Sequence, residues 1–372
     1  MLEKKLKLMC IVGARPNFMK IAPIMDEIAR CRDKVTAVLV HTGQHYDELM
    51  SDAFFADLEI PRPDINLAVG SGSHAEQTAK IMLAFESVVL AQEPDWVLVV
   101  GDVNSTMACT LVCSKLGIKV AHIEAGLRSF DRNMPEEVNR LVTDVLADLL
   151  LTPSRDADVN LLKEGISPEK IKFVGNVMID TLYKYLPKAK HSQILNNLAL
   201  TPYSYGVVTL HRPSNVDDKK IFQGILEALG AISSKLPLVF PIHPRTRERI
   251  KQFKLDKKTS SFNIKFIDPL GYLDFLQLYS NSRLVLTDSG GIQEETTVLG
   301  IPCLTLRENT ERPITIKQGT NHLIGTKRKK IEQEAFNVLS QPINEPKRLE
   351  FWDGQAAERI IEEIIAASGL TG

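Results

Sequence analysis

The chain has 372 residues, 44% of them hydrophobic and 24% charged, a globular composition with room for about two domains and not that of a disordered chain. A formal net charge of -1 provides no basic field for nucleic acid or an anionic membrane, so an anionic ligand needs a local set of cations and N–H groups. The five cysteines make no C-x-x-C pair, which argues against a zinc or disulfide framework, and no apolar run reaches the roughly 20 residues of a membrane span.

In chain order, residues 1–10 carry lysines, but the apolar run 8–12 is too short for a signal peptide, so a soluble, cytoplasmic protein is expected. The runs 8–12, 36–40, 96–100, 119–123 and 149–151 read as buried strands. Amphipathic stretches at 21–31, 75–91 and 136–146 read as the helices between them. Cys109 and Cys113, four apart on a helix, read as packing residues. Residues 183–205, rich in Lys, Pro, Asn and Ser, carry no strand signal and read as a linker.

Alternation then restarts, with strands expected at 206–210, 237–242, 262–267, 283–287 and 302–306 and a helix at 221–235. Residues 327–330, four basic side chains in a row, read as a solvated helix start. Two series of βα units imply two Rossmann-like domains with parallel sheets. The expected division is 1–182 and 183–353, with a C-terminal helix at about 354–372 packing back on the first domain.

Ligands of open α/β sheets bind beyond the carboxyl ends of the strands. That rule selects Gly13-Ala14-Arg15-Pro16, Gly101-Asp102, Glu124-Ala125-Gly126, His211-Arg212 and Asp288-Ser289-Gly290-Gly291, all expected to line one interdomain cleft. Each has a plainer reading. Asp102 can cap the helix that begins near Asn104, and Glu124 can accept from backbone amides in a turn. Arg15 and Lys20 can be surface charges, and His211 a satisfied polar residue. Glu136 and Glu137 suit a first helical turn in any case. Ser289-Gly290-Gly291 leads into a helix and suits a phosphate or diphosphate, though it matches neither a Walker loop nor G-x-G-x-x-G. Glu295 on that helix can hold ribose hydroxyls, with Arg15 and Arg312 adding positive charge.

At these residues the chain resembles the non-hydrolysing UDP-N-acetylglucosamine 2-epimerases, over nearly its whole length. The resemblance is carried by Gly13-Ala14-Arg15-Pro16 with Lys20-Ile21-Ala22-Pro23, by HIEAGLR at 122–128 and by PEEVNR at 135–140. In the second half it is carried by LTDSGGIQEE at 286–295 and by Glu311-Arg312-Pro313. It implies a GT-B type of twin Rossmann fold and interconversion of UDP-GlcNAc and UDP-ManNAc without metal or nicotinamide. The implied route is loss of UDP to give 2-acetamidoglucal, then re-addition with C2 inverted. It also implies a homodimer that supplies surface polysaccharide synthesis.

Carried over residue by residue, Asp102, Glu124 and Glu136 match catalytic carboxylates, Lys20 an active-site lysine and His211 a cleft histidine. Arg15, Phe275, Ser289, Gly290, Gly291, Glu295 and Arg312 match UDP-contacting positions. Gln44, Arg212 and His243 match positions where some members bind a second UDP-GlcNAc as an activator. Against that, Pro213-Ser214 and Tyr46-Asp47 depart from the bacterial pattern, and Leu270 replaces a Gln near the uracil. The short connection between Arg128 and Glu136 keeps a diacetamido uronic acid nucleotide open as substrate. A GT-B glycosyltransferase, a hydrolysing epimerase and a non-catalytic sugar-nucleotide sensor are the other readings.

Overall fold

The computed structural model describes residues 5–44, 55, 59–342 and 345–369. The chain divides into two compact units, Met1–Thr181 with Glu350–Gly372, and Leu182–Leu349.

The first unit is a parallel sheet in the order β3-β2-β1-β4-β5-β6-β7. Its strands are β1 (Leu6–Val12), β2 (Val35–His41), β3 (Ile65–Asn66), β4 (Trp96–Val100), β5 (Lys119–Ile123), β6 (Leu149–Thr152) and β7 (Ile171–Phe173). Every residue of β4 is buried because helices cover both faces, so its sequence is an unbroken apolar run. Met9, Ile11, Val97, Val99 and Val120 pack against Ile81, Phe85 and Val89 of the helix His74–Gln92 and Ala108 of the helix Asn104–Leu116. Cys109 and Cys113 belong to the same core.

The second unit repeats the plan in the order β10-β9-β8-β11-β12-β13. These are β8 (Gly206–Thr209), β9 (Leu238–Pro241), β10 (Ile264–Ile267), β11 (Leu284–Thr287), β12 (Cys303–Thr305) and β13 (Asn321–Leu323). Phe222, Ile225 and Leu229 of the helix Lys219–Ser233 and Ile331 and Ala335 of the helix Arg328–Ser340 fill its core. The basic run at 327–330 is exposed and opens that second helix. In both sheets the strand order reverses beside the first strand, which opens a crevice at the carboxyl ends there.

Five elements differ from expectation. The first helix spans Arg15–Arg30, one and a half turns earlier than the apolar spacing suggests, because Pro16 suits a first helical turn. Residues 183–189 are helical, the end of Val177–Ala189, with Leu182, Tyr185 and Ala189 buried at three- and four-residue spacing. Strands β3, β7 and β13 went unread, since two or three residues at a sheet edge make no apolar run. No helix among the described residues is long and apolar enough to cross a membrane.

The helix Ala356–Ala367 belongs to the first unit, and Asp180 holds its start. The buried Asp180 carboxylate accepts from Ala356 N at 3.1 Å and Ala357 N at 2.7 Å. Asp180→Ala leaves both donors orphaned and should cost about 1–3 kcal/mol, read as a lower urea midpoint at unchanged slope.

Candidate functional site

In the first unit the register sets the neighbours. Val100 pairs with Ile123, so the residues that follow, Gly101 and Glu124, emerge side by side, and Gly101 N donates to Ile123 O at 3.1 Å. Both are left-handed, with φ of 70° and 67°. Gly101 has no room for a side chain either, since a Cβ would lie 3.1 Å from Lys20 Nζ. Glu124 is buried; its Oε2 pairs with Lys20, whereas its Oε1 has no hydrogen-bond partner among the described residues. Such a bare oxygen is costly unless a ligand or water meets it. Neither Lys20 nor Glu124 takes its plainer reading: Lys20 is buried, and Glu124 faces a cation.

Asp102 does not cap the following helix, whose N-cap is Val103 with no side-chain bond. Its carboxylate, 31% exposed, pairs instead with the buried Arg140. The two first-turn glutamates part company. Glu136 is exposed on the helix Pro135–Leu146, whereas Glu137 is buried and accepts from Ser129 N at 2.9 Å, Phe130 N at 2.8 Å and Arg140. Burial opposes the charge on Glu137, but these donors hold its carboxyl below the usual range.

The sequence reading missed the groups beneath this surface. Asn17 accepts from Gly13 N at 3.1 Å and Ala14 N at 2.9 Å and donates to Val100 O at 3.1 Å, joining the ends of β1 and β4. His122 lies 2.6 Å from Asp144 through Nδ1 and 2.8 Å from Gly101 O through Nε2. Asp144 also takes Arg128 at 2.7 Å and Gly126 N at 3.1 Å. Arg15, at the start of its helix, is half-buried. Gln44 is buried, its Oε1 accepting from Ser105 N at 3.1 Å and Ser105 Oγ at 2.7 Å, so it is committed to packing here. Tyr46 and Asp47 lie outside the described residues.

In the second unit Asp288 is the organiser. It is fully buried and accepts from His211 N at 3.0 Å, Arg212 N at 2.9 Å and Asn215 Nδ2 at 3.1 Å. Burial opposes its charge, but His211 and these donors hold its carboxyl below the ordinary range. His211 Nδ1 lies 3.0 Å from Asp288 Oδ1 in a half-exposed ring, which leaves Nε2 for a ligand.

The helix Gly290–Leu299 has Ser289 as its N-cap without a side-chain bond, so its first amides stay available to an anion. At Gly290 a Cβ would fall 2.6 Å from Arg312 Nη1, so any larger residue there would displace that guanidinium. Arg312 is in turn clamped between Glu294, at 2.8 Å, and Glu311. Glu295 is buried with Tyr272 OH donating to it at 2.9 Å. A mostly apolar cavity of about 180 Å³ is lined by residues including Leu210, His211, Pro241, His243, Leu270 and Phe275. His243 caps its helix through Nδ1, which accepts from Arg245 N at 3.2 Å, and Arg212 Nε donates to Asp288 O at 2.9 Å. No group of three or more His, Cys, Asp or Glu among the described residues is placed to hold a metal ion.

Comparison with known proteins agrees with the resemblance. The family model for UDP-N-acetylglucosamine 2-epimerase matches residues 28–365. The UDP-N-acetylglucosamine 2-epimerase of Methanocaldococcus jannaschii is 43% identical over 96% of this chain and 98% of its own. The UDP-2,3-diacetamido-2,3-dideoxy-D-glucuronate 2-epimerase of Pseudomonas aeruginosa is 40% identical over 96% of this chain and 99% of its own. A crystal structure of the M. jannaschii enzyme with UDP-GlcNAc and UDP is similar at a TM-score of 0.89 and 42% identity, covering 97% of this chain and all of that one.

Burial pushes the Glu295 carboxyl up to about 7. Because the folded value lies above the unfolded one, this carboxyl stabilises the fold below its unfolded pKa. That stabilisation is lost as pH rises through about 7. Glu295→Gln cannot ionise, so its melting temperature should fall less between about pH 5 and about pH 8 than that of the parent chain. Equal slopes in calorimetry would remove Glu295 as a source of pH dependence.

Proposed function

Since the chain belongs to the UDP-N-acetylglucosamine 2-epimerase family, we propose that it interconverts UDP-GlcNAc and UDP-ManNAc by elimination and re-addition of UDP. One observation carries the reading: a buried carboxylate, Glu124, with one oxygen on Lys20 and the other without a partner. A carboxylate kept dry and half-satisfied is poised to take or return a proton.

The C2–H of the sugar is not acidic in the ground state. As the C1–O bond breaks and its electrons leave with UDP, C1 gains positive character and the C2 proton becomes removable. Its loss gives 2-acetamidoglucal. Return of UDP to C1 and of a proton to the other face of C2 completes the inversion. Two faces need more than one proton-transferring group, and Asp102, Glu124 and Glu136 supply them while stabilising the developing cation. The departing diphosphate is met by the Ser289–Gly291 amides, His211 Nε2, Arg312 and Arg15. The apolar cavity beside Phe275 and Leu270 suits the uracil ring, and Glu295 the ribose hydroxyls.

A diacetamido uronic acid nucleotide remains the second substrate reading, supported by the 40% identity to the P. aeruginosa enzyme and the short Arg128–Glu136 connection. The same proposal has the enzyme working in the cytoplasm as a homodimer, supplying surface polysaccharide synthesis, with Gln44, Arg212 and His243 as the positions that would meet an activating nucleotide sugar.

Incubation with UDP-GlcNAc in D2O without an acceptor should give UDP-ManNAc carrying deuterium at C2, seen by NMR. Free ManNAc as the main product would indicate hydrolysis, and turnover only with an acceptor would indicate glycosyl transfer. Turnover of the diacetamido nucleotide alone would select the second substrate. Asp102→Asn should keep UDP binding in calorimetry and lose about 10²–10⁴ in kcat; an unchanged kcat would take Asp102 out of the chemistry.

A further inference from the structure

The helix Pro135–Leu146 grips Asp102 at two points. Asn139 Nδ2 donates to the Asp102 carbonyl at 2.9 Å, and Arg140 Nη1 donates to its carboxylate. The Arg140 side chain is 2% exposed. Its Nε and Nη2 both donate to the buried Glu137, at 3.0 Å and 2.6 Å. Glu137 is itself anchored by the backbone amides of Ser129 and Phe130.

The order of constraint therefore runs inward to outward. Backbone amides fix Glu137, Glu137 fixes the guanidinium, and the guanidinium fixes the partly exposed Asp102 carboxylate. An exposed ion pair between two long, free side chains would fix little. A planar guanidinium held along its Nε–Nη2 edge by Glu137 has a set direction before Asp102 meets it. Lys20 and Glu124, which crowd the adjacent Gly101, pair with each other. Arg140 is the cation placed directly on Asp102.

We propose that Arg140 is a positioning residue for epimerisation: without touching the substrate, it aims the Asp102 carboxylate at the sugar. This rests on the reading of Asp102 as a catalytic carboxylate. A carboxylate displaced by about 1 Å from its reacting atom can lose about 10² in rate while substrate binding is kept.

The test is kinetic. Arg140→Ala should lower kcat by about 10² with the KM for UDP-GlcNAc little changed. Methylguanidinium added at millimolar concentration should restore part of kcat by filling the vacated place, and Arg140→Lys, a point charge without the planar fork, should recover less than the parent rate. Should Arg140→Ala fail to fold, the pair Glu137→Gln/Arg140→Met removes both buried charges together and should show the same loss of kcat at a similar KM. A folded variant with parental kcat would overturn the proposal, provided Asp102→Asn is inactive. So would a loss that appears wholly in KM and that methylguanidinium leaves untouched. Full turnover by Asp102→Asn would instead sink the role of Asp102, and this inference with it.

Discussion

A parallel sheet covered by helices on both faces favours apolar side chains along its middle strands. That constraint shapes much else here. Charge gathers where the strands stop, as at Asp102, Glu124 and Asp288, and the register decides which stops are neighbours. Val100 pairs with Ile123 in the first sheet, and Thr287 pairs with both Thr209 and Thr305 in the second. The polar residues that follow are crowded together whether or not their charges agree.

Crowding creates an electrostatic problem that each unit solves in the same way. A buried carboxylate is costly without cations or N–H donors around it. Around Asp144 these are His122, Arg128 and the amide of Gly126. Around Asp288 they are His211, Asn215 and two backbone amides. Such satisfied carboxylates are supports. The acids left with something to offer are Asp102, 31% exposed, Glu136, exposed, and Glu124, whose second oxygen is bare. Burial alone does not separate the two groups, since Glu124 and Glu137 are both buried; the count of satisfied oxygens does.

The same logic applies to the cations. Arg312 lies against the Gly290 turn but between Glu294 and Glu311, so its charge is largely balanced and its direction is set. On the proposed function it would meet an anion as an aimed donor group more than as a source of field. The uncapped helix start at Ser289 and Gly290 would then carry more of the attraction for phosphate.

The amino-acid sequence by itself determined the two-unit α/β plan, because strands covered on both faces read as short apolar runs, as β4 does over its whole length and β5 and β11 over most of theirs. It also determined where to look, because ligand groups in such sheets follow the strand ends. What only the tertiary structure decided was which acids hold and which are free to act. Lys20 meets Glu124 across 104 positions, Asp102 meets Arg140 across 38, and His211 meets Asp288 across 77. Spacing along a helix reports contacts three or four residues apart; partners this distant are chosen by sheet register and helix placement, which no local pattern encodes. The edge strands β3, β7 and β13 escaped for a related reason, being defined by hydrogen bonds to a neighbouring strand rather than by apolar residues of their own.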